Sequence, residues 1–163
     1  PRYACLRGIG TDFKGEATGS DKRFSFSIPA EESSQVLYLF ESAIDLLSFA
    51  AMAQEDRLPS RSQHLLSLAG VYQPKKNLTE RHLPLALSQY LRDHREIQTI
   101  YLCLDNDLAG RSAADAIRQQ LAGRYVVLDG FPCQGKDYND WLCLRKGLPI
   151  TRTVSKPERS MAR

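Results

Sequence analysis

The chain has 163 residues, of which 42% are hydrophobic and 25% charged, and these values are ordinary for one globular domain. At this length we expect the fold to bury about 70% of the unfolded surface without help from disulfides. No apolar run approaches the roughly 20 residues of a membrane-spanning helix, and a net charge of +3 is too small to identify a nucleic-acid binder by composition.

The predicted elements begin with a lead-in that mixes glycine, charge and one short alternating segment at residues 23–28, which predicts a small antiparallel β addition. From residue 36 onward, apolar strands alternate with helical patterns, and this predicts a mainly parallel sheet of about four strands covered on both faces. Ser42 is expected to cap the first helix, and Pro84 to occupy the first turn of the second. We predict strands near residues 36–40, 65–69, 98–104 and 124–128, and helices near residues 42–54, 84–94, 110–122 and 139–146.

Three parts follow from this pattern: a lead-in at residues 1–30, an α/β domain at residues 31–148 and a basic tail at residues 149–163. The tail has four basic residues against one acidic and little apolar content, so we expect it to be disordered or a linker. No charged-then-apolar signal segment follows the first residue. We therefore expect a piece of a longer intracellular protein.

The cysteines and histidines show no metal-binding spacing. The four cysteines are Cys5, Cys103, Cys133 and Cys143, and the three histidines are His64, His82 and His94. No pair of cysteines forms CxxC, so we expect buried reduced thiols. Because the histidines share no zinc-ligand spacing with the cysteines, we expect no zinc site.

Two aspartates one residue apart, Asp105 and Asp107, follow an apolar run of strand length and precede Gly110 and Arg111. Alternate residues of a strand point to the same side, so the two carboxylates can converge on one cation. Magnesium prefers oxygen ligands, and the glycine lets backbone and phosphate approach closely. The pattern predicts a magnesium site, with Asp107 as a simple cap of the following helix as the alternative.

A third carboxylate, Glu41, directly follows the strand predicted at residues 36–40. In open α/β sheets ligands collect beyond the carboxyl ends of the strands, where this glutamate would join Asp105 and Asp107. Acidic crowding would raise its pKa toward neutrality. Asp45 lies one helical turn later and is expected either to support the site from a second layer or to lie on the helix surface.

A late segment around Lys136, Asp137 and Asn139 adds groups that can meet a nucleotide or phosphate. For Lys136 the alternative is a solvated loop position, and Asn139 or Asp140 is the expected cap of the final helix. Trp141 is most simply a core residue.

Two further residues are candidates beside the acidic rim. Arg111 at a helix start can meet a phosphate together with free backbone amides, or face solvent. Gly70, at the end of the second strand, is expected to keep the floor of the pocket open.

This combination resembles the Toprim domain, the metal-binding module of bacterial-type DNA primases, type IA and type II topoisomerases and some nucleases. Its marks are Glu41 after the first strand and the segment Asp105-Asn106-Asp107 with Gly110 downstream. The segment at residues 136–140 is similar to the KDxN-like segment of the primase branch. The likeness covers residues 31–148, and residues 3–8 and 19–26 are similar to the lead-in of primase-like proteins of bacterial mobile elements.

The resemblance implies a Toprim-like Rossmannoid fold with magnesium, or manganese in its place, held by Asp105 and Asp107. It also implies that Glu41 is a general acid or base and sometimes a metal ligand, with Gly110 beside the site. The expected role is nucleotidyl or phosphoryl transfer on nucleic acid, in DNA replication or a mobile element of a bacterial cytoplasm. The expected partners are DNA, nucleotides and other domains of a longer parent protein.

Other roles remain open at this point. A Toprim-type metal-dependent nuclease would use the same three acids, and a non-catalytic module would dock DNA or a partner through its basic segments. The isolated fragment need not be active, whether the parent protein is a primase-like enzyme or a nuclease. Topoisomerase activity is disfavoured, because it requires a separate domain that carries the attacking tyrosine.

Overall fold

A computed structural model describes residues 2–11, 13–58, 62–70 and 82–150. The predicted basic tail from residue 151 onward lies outside the described residues. The composition of residues 70–77 predicts a loop, and all of this segment except Gly70 also lies outside them. Within the described part of the chain, no helix has the length and apolar character needed to cross a membrane.

The described elements are seven strands, four α-helices and one 3₁₀ turn. The strands are β1 (Cys5–Arg7), β2 (Lys14–Glu16), β3 (Ser27–Ile28), β4 (Val36–Phe40), β5 (His64–Ser67), β6 (Thr99–Cys103) and β7 (Val126–Asp129). The helices are α1 (Ala43–Glu55), α2 (Leu85–Asp93), α3 (Leu108–Leu121) and α4 (Tyr138–Arg145), and the 3₁₀ turn is Lys22–Phe24.

The main sheet has five strands in the order β3-β5-β4-β6-β7, and β1 and β2 form a separate antiparallel pair. All neighbours in the main sheet are parallel except β3, which pairs antiparallel with β5. The predicted α/β fold with a mainly parallel sheet and a small N-terminal β addition is therefore confirmed. The short β3 strand raises the sheet from about four strands to five.

The strand predicted at residues 23–28 is mostly wrong. Asp21 accepts a hydrogen bond from the Arg23 amide (3.1 Å) and so begins a 3₁₀ turn, and only Ser27–Ile28 remain extended as β3. Asp21 also pairs with the Arg23 guanidinium, which holds this turn. Helix α2 begins at Leu85, one residue later than predicted, because Pro84 has an extended backbone and is the cap residue.

Both faces of the sheet are covered, as predicted. Helices α2 and α3 cover one face, where Leu87 and Ile117 pack on Leu39 and Leu102. Helices α1 and α4 cover the other, where Leu46 and Tyr138 pack against Phe40. Parallel strands buried on both faces need near-continuous apolar sequence, which is the pattern of β4 and β6.

The side chains of Trp141 and the cysteines test two smaller predictions. Trp141 is half-buried and packs against the cluster under α1 and α4, as expected of a core residue. All four cysteines are free, but only Cys103 is buried, whereas Cys5 and Cys133 are exposed. The prediction of buried thiols is therefore wrong for those two, because both lie outside the strands and helices that form the core.

Candidate metal centre

The carboxyl ends of β4 and β6 bring the first two acids together. These strands are parallel neighbours, and Phe40 lies opposite Cys103 at the end of the pairing. Glu41 follows one strand immediately, and Asp105 follows the other after a single leucine. Both therefore leave the sheet at the same edge, hereafter the carboxyl edge, and they are close enough for Asp105 to raise the pKa of Glu41.

Asp105 and Asp107 converge through a turn rather than through the pleat of a strand. Because β6 ends at Cys103, both aspartates lie in the connection to α3, which corrects the reason given from sequence. Asp107 is the N-cap of α3, and its Oδ1 accepts a hydrogen bond from the Gly110 amide (2.9 Å). The predicted cap is thus present, and the other oxygen of the same carboxylate faces the site.

Gly110 is required by close packing behind this turn. A Cβ atom at position 110 would lie 2.1 Å from the carbonyl oxygen of Asp105, well inside any permitted contact. Only glycine lets the first turn of α3 pass so near the end of β6. The glycine therefore acts on the site by fixing the backbone of Asp105.

The ammonium group of Lys136 lies between the two aspartates. Its Nζ is 2.8 Å from Asp105 Oδ2 and 3.1 Å from Asp107 Oδ2, so both carboxylates point at one positive charge. The backbone amide of Asn106 donates to the backbone carbonyl of Lys136 (2.7 Å), which fixes the backbone of the lysine against the turn. Two oxygens directed at a single cation, one from a buried aspartate, fit a magnesium ion.

The carboxyl edge raises the pKa of Glu41 and Asp105 and lowers that of Asp107. Burial, with Asp105 and Asp107 nearby, raises the pKa of Glu41 to about 7. Burial also raises the pKa of Asp105, and the hydrogen bond from the Gly110 amide lowers that of Asp107. The aspartates raise the pKa of Lys136, so its charge is retained. At neutral pH, Glu41 is the carboxyl group closest to half-protonation among the three acids of this edge.

Asp45 is buried behind Glu41 and joins α1 to α4. Ser42 caps α1, as predicted, and its hydroxyl donates to Asp45 Oδ2. The backbone amide of Asn139, at the start of α4, donates to Asp45 Oδ1 (3.3 Å). Burial raises the pKa of Asp45 to about 6. Asp45 is therefore buried between the starts of α1 and α4 and does not lie on the helix surface.

The segment that contains Lys136 is a tight helix start. Asp137 is the N-cap of α4, and its Oδ1 accepts from the Asp140 amide (2.7 Å). Neither Asn139 nor Asp140 caps the helix, which corrects the sequence prediction; Asp140 instead accepts from the Lys136 amide (3.0 Å). The carboxylate of Asp137 is therefore committed to the helix, whereas the side chain of Asn139 is exposed.

Arg111 is exposed in the first turn of α3. Its guanidinium donates to Asn106 Oδ1 and lies 4.7 Å from the centre of the Phe131 ring. These contacts hold the arginine beside the turn that carries Asp105 and Asp107. A phosphate at this edge would be within the region that the arginine can sample.

A cleft of about 490 Å³ opens between the N-terminal hairpin and the carboxyl edge. Glu41 and Ser42 line one wall. The opposite wall, hereafter the basic wall, includes three basic residues, Arg7, Lys14 and Lys22, and one acidic residue, Glu16, whose carboxylate pairs with Lys22 (2.9 Å). The cleft therefore places a net positive charge opposite Glu41.

Gly70 lines the same cleft, and its amide donates to the Glu41 carbonyl (3.0 Å). Its φ of +117° is a backbone conformation that other residues rarely adopt, and a Cβ atom there would meet nothing within 4 Å. The glycine is therefore explained by backbone conformation and not by lack of room.

The family model described as Toprim-like matches residues 38–142. The chain belongs to the Toprim-like family. The match spans Glu41, Asp105 and Asp107 together with Lys136 and Asn139, and it confirms the resemblance that the sequence motifs indicated.

Two individual proteins are similar to this Toprim-like chain. The 65 kDa protein of Zymomonas mobilis subsp. mobilis is 27% identical over 157 residues, which cover 90% of the chain and 25% of that protein. The chain thus spans about a quarter of the length of this relative. A crystal structure of the primase fragment of the bacteriophage T7 primase-helicase protein is similar with a TM-score of 0.42 and 23% identity, over 69% of this chain and 40% of that one.

Two sets of residues are brought together only by the fold. Arg7 and Lys14 of the basic wall were not predicted as site residues, because they lie on the hairpin of β1 and β2, whose position beside the carboxyl edge is a tertiary feature. The other set is His64, His94 and Glu96, whose ligand atoms lie within 4.8 Å of one another. The sequence shows no zinc-ligand spacing for this set, because its members come from different elements and include no cysteine.

Proposed function

We propose that this chain is the magnesium-dependent catalytic module of a primase-like protein of DNA replication or of a mobile element. The proposed reaction is nucleotidyl or phosphoryl transfer on nucleic acid. One observation carries it: Glu41, Asp105 and Asp107 leave neighbouring strands at one edge of the sheet, beside a cleft with a basic wall. The family membership supports the metal site, and the segment at residues 136–140 supports the primase-like branch.

Asp105 and Asp107 are the proposed magnesium ligands, with Glu41 able to join them. The bound ion would neutralise phosphate charge and polarise the phosphoryl group under attack. Few protein ligands are offered, so we expect weak affinity until a nucleotide or DNA phosphate completes the shell. Manganese should substitute, since it accepts the same oxygen ligands.

Glu41 is the proposed general acid or base. With a pKa raised to about 7, it can accept a proton from an attacking hydroxyl and return it at neutral pH. An ordinary glutamate would be a poorer base, because it would be ionised but weakly basic. Asp45 supports this role by adding negative charge behind Glu41, since it is among the groups that raise the pKa of the glutamate.

Lys136 acts as an internal counter-ion in the proposed cycle. Its ammonium lies where the two aspartates direct their oxygens, so a divalent ion and the lysine compete for one position. Once displaced, the lysine can reach a substrate phosphate, because half of its side chain is exposed. Arg111 and Asn139 are also exposed and are the proposed further phosphate contacts, although Asn139 Oδ1 accepts a long hydrogen bond from the Ser48 hydroxyl (3.5 Å); Asp137 remains the cap of α4.

The basic wall of the cleft gives the proposed approach for nucleic acid or nucleotide. Arg7 and Lys14 lie on the N-terminal hairpin, and Lys22 lies in the following 3₁₀ turn. A phosphate chain between this wall and Glu41 would be held by charge and would present a phosphoryl group to the acids. Added salt should therefore weaken the binding of nucleic acid to this cleft steeply.

The test uses the full-length parent protein, because the chain covers only a quarter of its relative. Single-stranded template with nucleotides is assayed for primer synthesis, and a supercoiled plasmid is assayed for nicking, each with magnesium. We expect Glu41→Gln to lower synthesis by about 10²–10⁴-fold. The matched control is Asp115→Asn, which removes an exposed carboxylate on α3.

The three outcomes separate the candidate roles. Synthesis that is lost in Glu41→Gln and retained in Asp115→Asn supports the proposal. Nicking without synthesis would replace it with a metal-dependent nuclease, in which water attacks the phosphate at the same acids. DNA binding that needs no magnesium and gives neither product would replace it with a non-catalytic binding module.

A further inference from the structure

A second cluster of ligand groups lies at the opposite, amino edge of the sheet. His64 is the first residue of β5, His94 caps the end of α2, and Glu96 lies in the connection to β6. One ligand atom from each lies within 4.8 Å of those of the other two. The strands run away from this edge toward Glu41, so the cluster is separate from the acidic site.

The distances inside the cluster are those of atoms that share a metal ion. Glu96 Oε1 is 3.2 Å from His94 Nδ1 and 3.4 Å from His64 Nε2. Two ligands bound at 2.0–2.1 Å in a tetrahedral site lie about 3.3 Å apart. The two distances from Glu96 thus match the spacing of a tetrahedral site, and the two imidazole nitrogens lie within 4.8 Å of each other.

A buried and unpaired nitrogen of His64 is an independent indication that this cluster binds a ligand. His64 is only 3% exposed, and its Nε2 is a buried nitrogen without a hydrogen-bond partner among the described residues. A buried polar atom left unpaired costs free energy, and such atoms are rare in folded proteins. The contact to Glu96 does not meet the geometry of a hydrogen bond, although it is close enough for a shared ion.

The other nitrogen of His64 has the support that a metal-bound imidazole needs. Nδ1 accepts a hydrogen bond from the Ala30 backbone amide (3.4 Å) and lies 3.1 Å from the Tyr90 hydroxyl. When Nε2 binds a metal, Nδ1 must carry the proton, so the long contact from Ala30 is given up and Nδ1 donates to Tyr90 instead.

We propose that His64, His94 and Glu96 bind a transition-metal ion, zinc in the first place, at the amino edge of the sheet. Two imidazoles and a carboxylate suit zinc, cobalt or nickel and disfavour magnesium. His94 and Glu96 are partly exposed, so water can complete the tetrahedron. The ion would join the start of β5 to the end of α2 and the segment before β6.

The experiment titrates zinc, and then cobalt, into the complete chain carrying Asp105→Asn and Asp107→Asn, with Cys5 and Cys133 replaced by serine. These changes remove the acidic site and the exposed thiols as competing ligands. Calorimetry gives affinity and stoichiometry, and the cobalt absorption spectrum reports tetrahedral geometry. Excess magnesium is present throughout.

We expect one zinc ion per chain and a tetrahedral cobalt spectrum without a thiolate band. In that background, His94→Gln and Glu96→Gln should each weaken zinc binding by at least about 100-fold, more than the loss of a supporting contact usually costs. Tyr90→Phe, which keeps the ring and removes the hydroxyl, should weaken it about 10-fold.

Unchanged zinc affinity in both His94→Gln and Glu96→Gln, or no zinc binding at all, would overturn the proposal. These two residues are partly exposed, so the test does not depend on replacing the buried His64. The result is also independent of catalysis at the carboxyl edge, because the background already lacks its two aspartates.

Discussion

The two edges of one parallel sheet carry different chemistry. At the carboxyl edge, Glu41 and Asp105 follow strand ends directly and face a lysine and a cleft. At the amino edge, the imidazoles of His64 and His94 meet the carboxylate of Glu96. Carboxylates select hard ions that keep water and phosphate, whereas imidazoles select transition metals. One sheet can thus keep two donor sets that suit different ions at its opposite edges.

Burial acts on the two edges with opposite signs. It raises the pKa of Glu41 and Asp45 at the carboxyl edge, where the charged form is the anion. It lowers the pKa of His64 at the amino edge, where the charged form is the cation. Without metal, a rise in pH therefore destabilises the first edge and stabilises the second.

The largest effect on stability should come from Asp45→Asn, measured in the presence of a chelator. The folded-state pKa of Asp45 is about 6, whereas an ordinary aspartate titrates at 3.8, so the folded chain prefers the protonated form. The stability that the fold gains by keeping Asp45 protonated is complete below about pH 4 and is lost as the pH rises through about 6. The stability of the asparagine variant relative to wild type should therefore rise by up to about 3 kcal/mol between pH 4 and pH 7.

Urea unfolding at a series of pH values measures this difference. The control Asp115→Asn, at an exposed carboxylate, should show no such trend. A relative stability of Asp45→Asn that stays flat with pH would mean that Asp45 is not held under burial, and the electrostatic contrast between the edges would fail.

Gly110→Ala tests whether the acidic turn depends on close backbone packing. At an open helix position, alanine in place of glycine gains about 1 kcal/mol. Here the new methyl would meet the Asp105 carbonyl, so we expect the free energy of unfolding to fall by about 1–3 kcal/mol. Thermal and urea unfolding measure the loss, with Ser112→Ala on the exposed face of α3 as the control. A Gly110→Ala variant as stable as wild type would contradict the packing described for this turn.

Lys136→Met should have opposite effects with and without a divalent ion. Without metal, two aspartates lose their counter-ion, and we expect a loss of about 1–2 kcal/mol, reduced from the cost at a buried pair because the lysine is half exposed. Calorimetry should show manganese binding about 10-fold more tightly, since no internal cation competes for the position.

Lys146→Met is the matched control, because Lys146 has similar exposure and pairs with Glu55 away from the site. It should leave manganese affinity unchanged. Weaker manganese binding in Lys136→Met would show that the lysine supports the ion rather than taking its place.

The smallest effect is expected for Asp137→Ala. Loss of the N-cap of α4 should cost about 1 kcal/mol of unfolding free energy. Asn139→Ala, at an exposed side chain two residues later, should cost less than about 0.5 kcal/mol. Chemical unfolding of both variants compares them, and a larger cost at Asn139 would reverse the roles of the two residues.

The sequence was sufficient for the carboxyl edge because its signals are local. Glu41 and the Asp105-Asn106-Asp107 segment each adjoin an apolar strand, and parallel neighbours share one edge. The turn that makes the aspartates converge was not predictable, since strand periodicity does not fix where β6 ends. The same uncertainty explains the wrong cap, because three acidic or amide residues stand within four positions at the start of α4.

The amino edge shows what local patterns miss. His64, His94 and Glu96 belong to a strand start, a helix end and a loop, and only the parallel arrangement of the sheet brings them together. The basic wall of the cleft has the same origin, because the hairpin meets the sheet only in the folded chain. Long-range placement of this kind leaves no periodic or spaced signal in one sequence.

Paramagnetic NMR of the complete chain during manganese titration tests the central claim most directly. We predict early broadening of the amide signals of Glu41, Asp105, Asp107 and their neighbours, and loss of that broadening in the double variant Asp105→Ala, Asp107→Ala. Carboxyl-edge signals that ignore manganese, or that broaden equally in the double variant, would contradict a shared divalent ion at these acids.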